Sequence, residues 1–270
     1  MPEFAILLPP AEGKKPGGNP LAPDMFDYRA SNTFNYFSEL NPERRRLIDA
    51  VQQAIQAGDD LEKIFGVKGP ALEEAIQVNL EIYKAPRMAA LDRYSPGVMY
   101  QALDFPGLPT GAQRRFLENT IIFSGMFGLL RPDDLIPNYR LRMDAVVPGI
   151  GKVSRYWRPY ISPILNELLR DRFVWNLLPA AHQEAWEDAH TYRQMVEIKF
   201  FQEEGGQRRP VSHGVKPLRG RLVNFIVREG LEDIEGLKAW RDSEGFVLDE
   251  EASEFDEATR RAVLVMVKRG

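Results

Sequence analysis

The sequence predicts a mixed α/β (α+β) fold, in which helices surround a mixed β-sheet within one domain spanning residues 1–270. Two observations predict this class. Short apolar runs bounded by breakers, typical of buried strands, alternate with longer segments of helical periodicity, and the alternation has no strict βαβ period. No internal repeat or long linker divides the chain, and its 44% of hydrophobic residues suffices for a sizeable core.

The first third predicts one strand and then helices. Residues 4–8 form an apolar run closed by two prolines, which indicates a buried strand that leads into a loop rich in Gly, Pro and Lys at residues 11–20. A first-turn proline and a terminal glycine bound a helix over residues 42–58. Two further helices are predicted at residues 61–64 and 70–83, joined by a hairpin.

The remaining elements follow from the same signals. Residues 104–111 predict a surface loop, and Pro159 and Pro163 predict a kink or a break in a helix over residues 153–169. The predicted strands lie at residues 120–123, 173–177, 195–202, 210–213, 246–248 and 262–267, with an antiparallel hairpin around Gly205 and Gly206. Further helices are predicted at residues 112–118 and from Pro217.

Composition restricts the possible functions. The net charge is −4, so a polyanion site must be a local patch, and the chain has no cysteine, which excludes thiol redox chemistry and cysteine-ligated clusters. The three histidines show no metal-ligand spacing, so we expect no metal and no cofactor. We find no signal peptide and no apolar stretch near 18 residues, and we expect a cytoplasmic, monomeric protein without a membrane partner.

The densest basic run lies between residues 205 and 228. It contains six cations and no acidic residue: Arg208, Arg209, Lys216, Arg219, Arg221 and Arg228. Lys216 and Arg219 stand near the start of the helix that Pro217 begins, and Gly220 allows a close approach by a ligand or by another backbone. Phosphate binding at the helix start and neutralisation of the acidic segment at residues 229–257 explain these cations equally well.

Two other segments are candidates for binding. Glycines precede arginines in residues 124–142, which suits an anion, although Asp134 could instead pair with Arg131 or Arg140 and fasten a loop. The hairpin at residues 66–69 is similar to a helix-hairpin-helix element that binds DNA phosphates through backbone N–H groups. Lys68 makes this hairpin one residue longer than the usual spacing, and a simple connection between two helices explains the same residues.

Taken together, these motifs resemble the YaaA peroxide-stress protein family over nearly the whole chain. The most specific block is Ser-Gly-Met-Phe-Gly-Leu-Leu-Arg-Pro-Asp-Asp at residues 124–134, followed by Tyr-Arg-Leu-Arg-Met at residues 139–143. Residues 8–14, the pair at 156–157, and the segments at 216–220 and 243–246 agree as well. Arg142 and Ala102 depart from the residues that some members carry, and either Lys14 or Lys15 corresponds to the lysine of the N-terminal loop.

The resemblance implies a cytoplasmic protein that limits iron-driven peroxide damage, with a helix-hairpin-helix-like element and a basic cleft that binds DNA without sequence specificity. We therefore expect one cleft. Its predicted binding residues are Lys14, Lys15, Gly66, Lys68, Gly69, Ser124, Gly125, Gly128, Arg131, Tyr139, Arg140, Lys216, Arg219 and Gly220. The alternative is an enzyme that acts on a phosphorylated or nucleotide-like small molecule in the same cleft, with Asp134 or Glu244 as the acid or base.

Overall fold

The structure, a computed structural model, describes residues 4–23, 35–211 and 214–270. Within these ranges the strands are β1 (Phe4–Leu8), β2 (Met88–Ala89), β3 (Thr120–Ser124), β4 (Gly128–Leu130), β5 (Leu135–Ile136), β6 (Val146–Val147), β7 (Gly151–Lys152), β8 (Phe173–Asn176), β9 (Gln194–Glu204), β10 (Gln207–Pro210), β11 (Val247–Asp256) and β12 (Arg261–Arg269). The α-helices there are α1 (Asn41–Ala57), α2 (Leu61–Phe65), α3 (Pro70–Leu80), α4 (Ala90–Tyr94), α5 (Val98–Leu103), α6 (Thr110–Asn119), α7 (Val153–Leu168), α8 (Ala180–Gln183) and α9 (Val215–Glu229). The predicted mixed α/β class is therefore confirmed.

A mixed sheet of eight strands organises the fold. Its order is β11-β12-β9-β8-β1-β3-β4, and β10 pairs with β9 beside this path. The strands from β12 to β3 are parallel to their neighbours, whereas β4, β10 and β11 each pair antiparallel. Every residue of β1 is buried, as the apolar run predicts.

The strand order reverses at β1. The chain goes from β1 to β3 on one side of it and later returns to β8 on the other side, with Ile6 paired to Thr120 and Leu7 paired to Asn176. In open parallel sheets, ligands bind outside the carboxyl ends of the strands at such a reversal. The topology therefore directs attention to the loops that follow β1 and β8.

Two expectations about local structure are wrong. Residues 104–111 are not a plain loop, because a 3-10 turn occupies Phe105–Gly107 and α6 begins at Thr110. Of the kink or break predicted for α7, the break is wrong, because the helix continues through both internal prolines. Its fully buried face, which includes Trp157, Ile161 and Leu165, packs into the core and holds the helix continuous.

Helices α4 and α5 were not predicted, since each is too short to show a periodicity. The hairpin of β9 and β10 was predicted, although its outer strand ends at Pro210 and His213 lies outside the described residues. Helix α9 begins near Pro217 as predicted and packs against α5 and α6. None of the helices in the described ranges is long and apolar enough to cross a membrane.

Candidate functional site

A cavity of about 480 Å³ lies at the carboxyl ends of β1 and β8, where the strand order reverses. Segments that are far apart in sequence line it. They are the loop at residues 9–14 after β1, residues 96–100 at the start of α5, residues 139–144, the loop after β8 with Pro179, Ala181 and His182, and Lys216 and Arg219 in the first turns of α9. The cavity thus occupies the place that the topology favours for a ligand.

Of the seven cations among the predicted binding residues, four line this cavity: Lys14, Arg140, Lys216 and Arg219. Arg131 does not. Its guanidinium donates from Nη1 to the backbone oxygen of Glu118 at 2.8 Å, outside the cavity. Two acidic residues, Glu12 and Asp144, also line the cavity, and Asp144 is bound by Arg142 with Nε and Oδ1 2.9 Å apart.

Three side chains of the cavity carry buried nitrogen atoms that lack a hydrogen-bond partner among the described residues. These atoms are Nε of Arg140, Nε of Arg219 and Nδ1 of His182. Buried polar groups are nearly always hydrogen-bonded, and leaving one unpaired costs about 1–3 kcal/mol. Their concentration in one cavity is typical of a site in which a ligand supplies the missing acceptors.

His182 is uncharged near neutral pH. Burial is the main cause that lowers its pKa to about 4; the negative charge of Asp144 opposes this effect, and the positive charge of Arg219 adds to it. Burial also lowers the pKa of Arg219, although a guanidinium stays protonated at neutral pH. The cavity therefore combines permanent cations with one neutral imidazole.

Lys14 is half-buried at the carboxyl end of β1. Its Nζ donates to the backbone oxygen of Ala11 at 3.1 Å and lies 4.2 Å from the centroid of the Tyr139 ring. Burial, followed by the positive charge of Arg140, lowers the pKa of Lys14 to about 7. At neutral pH, Lys14 consequently exists as both ammonium and free amine.

A chain of buried hydroxyl groups lies beneath Lys14. The hydroxyl of Tyr139 is 2.7 Å from Ser124 Oγ and 2.7 Å from the hydroxyl of Tyr94. Burial raises the pKa of Tyr139 to about 12, so this phenol stays neutral. Ser124 is fully buried and does not line the cavity, which means that its role is to hold the ring of Tyr139 below Lys14.

The glycines of the same block provide close packing. The backbone oxygen of Gly125 accepts a hydrogen bond from Trp157 Nε1 at 2.8 Å, and a Cβ at Gly125 would lie 2.5 Å from the backbone oxygen of Leu141. Gly128 has φ of +71° and lies against the ring of Trp157. Both glycines are buried, and they let the 139–144 segment and α7 approach the turn after β3.

The two candidate acids lie outside the cavity lining. Asp134 is fully buried and accepts the backbone N–H of Arg131 at 2.6 Å and that of Tyr36 at 2.8 Å, so it fastens its loop. Burial raises the pKa of Asp134 to about 6. Glu244 is exposed and binds Arg221 at 2.6 Å. The cations of the basic run at residues 205–228 therefore have different roles. Arg221 neutralises the acidic segment, whereas Lys216 and Arg219 line the cavity.

The hairpin between α2 and α3 touches only the rim of the cavity. A Cβ at Gly66 would lie 2.7 Å from Nη1 of Arg142, which lines the cavity. Lys68 is exposed and forms a salt bridge of 2.8 Å with Glu62, and Gly69 begins α3. DNA binding by this hairpin stays a prediction.

Two further predicted residues have other neighbours. Lys15 is exposed, and its backbone N–H donates to the oxygen of Arg93 at 2.8 Å. Gly220 is buried against α5, where a Cβ would lie 2.1 Å from the backbone oxygen of Met99. The sequence predicts that Gly220 allows a close approach by a ligand or by another backbone, and the structure shows the approach of another backbone.

Sequence reasoning missed His182 and Tyr94. A lone histidine has no signature, yet His182 follows β8 by a few residues, so the strand order would have indicated it. Tyr94 lies in a short helix with no recognisable pattern. Within the described ranges, no group of three or more His, Asp and Glu side chains is arranged to hold a metal ion.

Comparison with known proteins gives a consistent result. The family model described as peroxide stress protein YaaA matches residues 4–252. A UPF0246 protein of Streptomyces coelicolor is 30% identical over 83% of this chain and 83% of its own length. A UPF0246 protein of Corynebacterium glutamicum is 30% identical over 91% of this chain and 94% of its own length. An uncharacterized protein of Campylobacter jejuni is 26% identical over 87% of this chain and 89% of its own length.

Proposed function

The chain belongs to the peroxide stress protein YaaA family, and from this premise we propose that it protects against hydrogen peroxide by binding a phosphate-bearing small molecule of nucleotide size in the cavity at β1. The observation that carries the proposal is the pair of buried Nε atoms of Arg140 and Arg219, which lack partners in the described part of the chain. An arginine fork binds phosphate oxygens through charge-assisted hydrogen bonds. Both arginines line the cavity, so a phosphate bound there would meet their guanidinium groups.

The side chains that line the cavity indicate the chemistry of the part of the ligand that is not phosphate. Met99, Tyr100, Leu141 and Met143 add apolar side chains to the lining beside the cations. Its volume of about 480 Å³ falls within the range of roughly 300–1,000 Å³ that is usual for small-molecule sites. A molecule with a phosphate at one end and a flat or apolar body at the other, such as a nucleotide, matches a lining of cations and apolar side chains.

A small molecule fits these cations better than duplex DNA does. Phosphates on the outside of a duplex are bound by exposed side chains. Lys14, Arg140 and Arg219 are half-buried, whereas Lys216 is exposed. Lys68 of the hairpin is already paired with Glu62. DNA binding and a direct effect on iron therefore rank second, and the experiment below includes DNA.

Protection in this proposal is indirect. The chain has no cysteine, so it carries no thiol that could reduce peroxide. The protein would instead influence the stress response through the bound phosphate compound, either by sequestering this compound or by converting it. The neutral amine of Lys14 and the neutral imidazole of His182 are the groups of the cavity that could take part in proton transfer.

Calorimetric titration with adenosine, AMP, ADP and inorganic phosphate tests the proposal. AMP or ADP should bind and adenosine should not, and the double variant Arg140→Gln/Arg219→Gln should lose at least about tenfold in affinity, because charge-assisted hydrogen bonds disappear. Arg228→Gln is the matched control: it removes one cation from the exposed end of the same helix, α9, and should bind as the parent protein does.

Duplex DNA of random sequence is titrated in parallel at several salt concentrations. If none of the phosphate compounds binds while DNA binds with a steep salt dependence, the small-molecule proposal is wrong and the basic surface serves DNA. Equal affinities of the parent protein and the double variant for AMP would likewise contradict the assignment of the two arginines.

A further inference from the structure

The side chain of Lys14 differs from an ordinary surface lysine in its partners. Within the described residues no carboxylate forms a salt bridge with it, and its Nζ donates only to backbone oxygens, those of Ala11 at 3.1 Å and Glu12 at 3.4 Å. The ring of Tyr139 lies on one side of the amine, and the opening of the cavity provides the other. The amine is thus held in place without being neutralised by an anion.

The charged groups around Lys14 favour its neutral form. Arg140 and Arg93 contribute positive charge, while Glu12 and Glu74 oppose them with a smaller combined effect than burial and Arg140 exert. The cavity also contains Arg142, Asp144, His182, Lys216 and Arg219. An amine that is desolvated and next to another cation is the setting in which lysine acts as a nucleophile toward carbonyl compounds.

We propose that Lys14 forms an imine with the carbonyl carbon of a phosphate-bearing aldehyde or ketone, whose phosphate is bound by Arg140, Arg219 and Lys216. This inference rests on the proposed function, since the same cations bind the phosphate. It adds a covalent step and narrows the ligand class to carbonyl compounds.

The step balances without any further reactant. The lone pair of the neutral amine forms a C–N bond with the carbonyl carbon, and the C–O π electrons move to the oxygen, which gives a carbinolamine after proton transfer. The hydroxyl group then leaves, and the nitrogen loses its second hydrogen, so that the carbonyl oxygen departs as one water molecule. Nothing is oxidised or reduced, and hydrolysis of the imine regenerates Lys14.

Trapping with pyridoxal 5′-phosphate and sodium borohydride tests the inference. Borohydride reduces an imine to a stable secondary amine, and fragmentation of the peptide that contains both Lys14 and Lys15 locates the label. Lys15 is the matched control, because it is the adjacent lysine and is exposed. We expect labelling of Lys14 to exceed that of Lys15 by at least about tenfold, with half-maximal labelling near pH 7 rather than near the ordinary lysine value.

The lysine variants test whether Lys14 is the residue that is labelled, and a probe without phosphate tests whether the phosphate directs the labelling. Lys14→Arg and Lys14→Met should abolish the specific label, whereas Lys15→Arg should keep it. Pyridoxal, which lacks the phosphate, should label much less. Equal labelling of Lys14 and Lys15, or a label that persists in both Lys14 variants, would overturn the inference.

Pyridoxine 5′-phosphate, which has the phosphate but no carbonyl group, reports on the proposed function alone. If it binds and the double variant Arg140→Gln/Arg219→Gln does not bind it, while pyridoxal 5′-phosphate leaves no label on Lys14, the cavity binds phosphate and the imine is wrong. If pyridoxine 5′-phosphate, AMP and ADP all fail to bind, the proposed function itself fails.

Discussion

Replacing Gly220 by alanine should separate two helices that meet beside the cavity. A Cβ at Gly220 of α9 would lie 2.1 Å from the backbone oxygen of Met99 and 2.9 Å from the backbone nitrogen of Leu103, both in α5. Because these are backbone atoms, no change of rotamer relieves the clash, and the helices must move apart by roughly 1 Å. Overpacking of this kind costs about 1–3 kcal/mol.

Helix propensity partly offsets that cost. Alanine is favoured over glycine inside a helix by up to about 1 kcal/mol, so we expect Gly220→Ala to lower the free energy of unfolding by about 1–2 kcal/mol. The same movement should weaken AMP binding, because Arg219 in α9 and Met99 in α5 both line the cavity.

Urea unfolding followed by tryptophan fluorescence measures the effect, since Trp157 is fully buried in the core. Gly111→Ala is the matched control. Gly111 lies in α6, and a Cβ there would meet only the end of the Arg115 side chain, at 3.7 Å. The control should be neutral or stabilising by up to about 1 kcal/mol. If Gly220→Ala is as stable as Gly111→Ala, the close contact between α5 and α9 is refuted.

Three further substitutions have expected outcomes. Arg44→Met should lower the free energy of unfolding by about 3–5 kcal/mol in urea, because the buried guanidinium donates to two backbone oxygens, at 2.8 Å and 2.7 Å, that would lose their donors. Tyr139→Phe should cost about 1–3 kcal/mol by the same measurement, since it leaves the buried hydroxyls of Ser124 and Tyr94 without their shared partner. Lys14→Met should change how the free energy of unfolding depends on pH. The pKa of Lys14 is about 7 in the folded protein and has its ordinary value of 10.5 in the unfolded chain, so the unfolded chain binds more protons between these pH values. In the parent protein, Lys14 therefore makes the free energy of unfolding rise with pH in this range. Urea unfolding of the parent and Lys14→Met proteins at pH 7 and pH 9.5 should show a smaller rise in the variant, and equal rises would contradict the buried environment of Lys14.

Local signals in the sequence were sufficient for elements such as α9 and β1, whereas β11 was predicted only over residues 246–248 and extends over Val247–Asp256. The proline and apolar stripe of α9 and the uniformly apolar β1 have patterns that depend only on neighbouring residues. Helices such as α5, with six residues, lack a full pattern and form because the fold buries Met99 and Tyr100. Their existence depends on tertiary contacts, which one sequence does not display.

The site shows the same division between local and tertiary information. Residue type and spacing selected Lys14, Arg140, Lys216 and Arg219, but they selected Arg131 for identical reasons, and only the turn made by its loop directs Arg131 to Glu118. The sequence left two roles open for Gly220, because a glycine that admits a ligand and one that admits another backbone have the same sequence signal, and the structure shows the second role.

The central claim is that the buried arginines of this cavity bind a phosphate group. A crystal structure of the protein grown with AMP tests it most directly. The account predicts the phosphate within hydrogen-bonding distance, about 2.7–3.2 Å, of guanidinium nitrogen atoms of both Arg140 and Arg219, with the base toward Met99 and Leu141. AMP bound elsewhere on the surface, or a cavity that stays free of AMP at saturating concentration, would contradict the account.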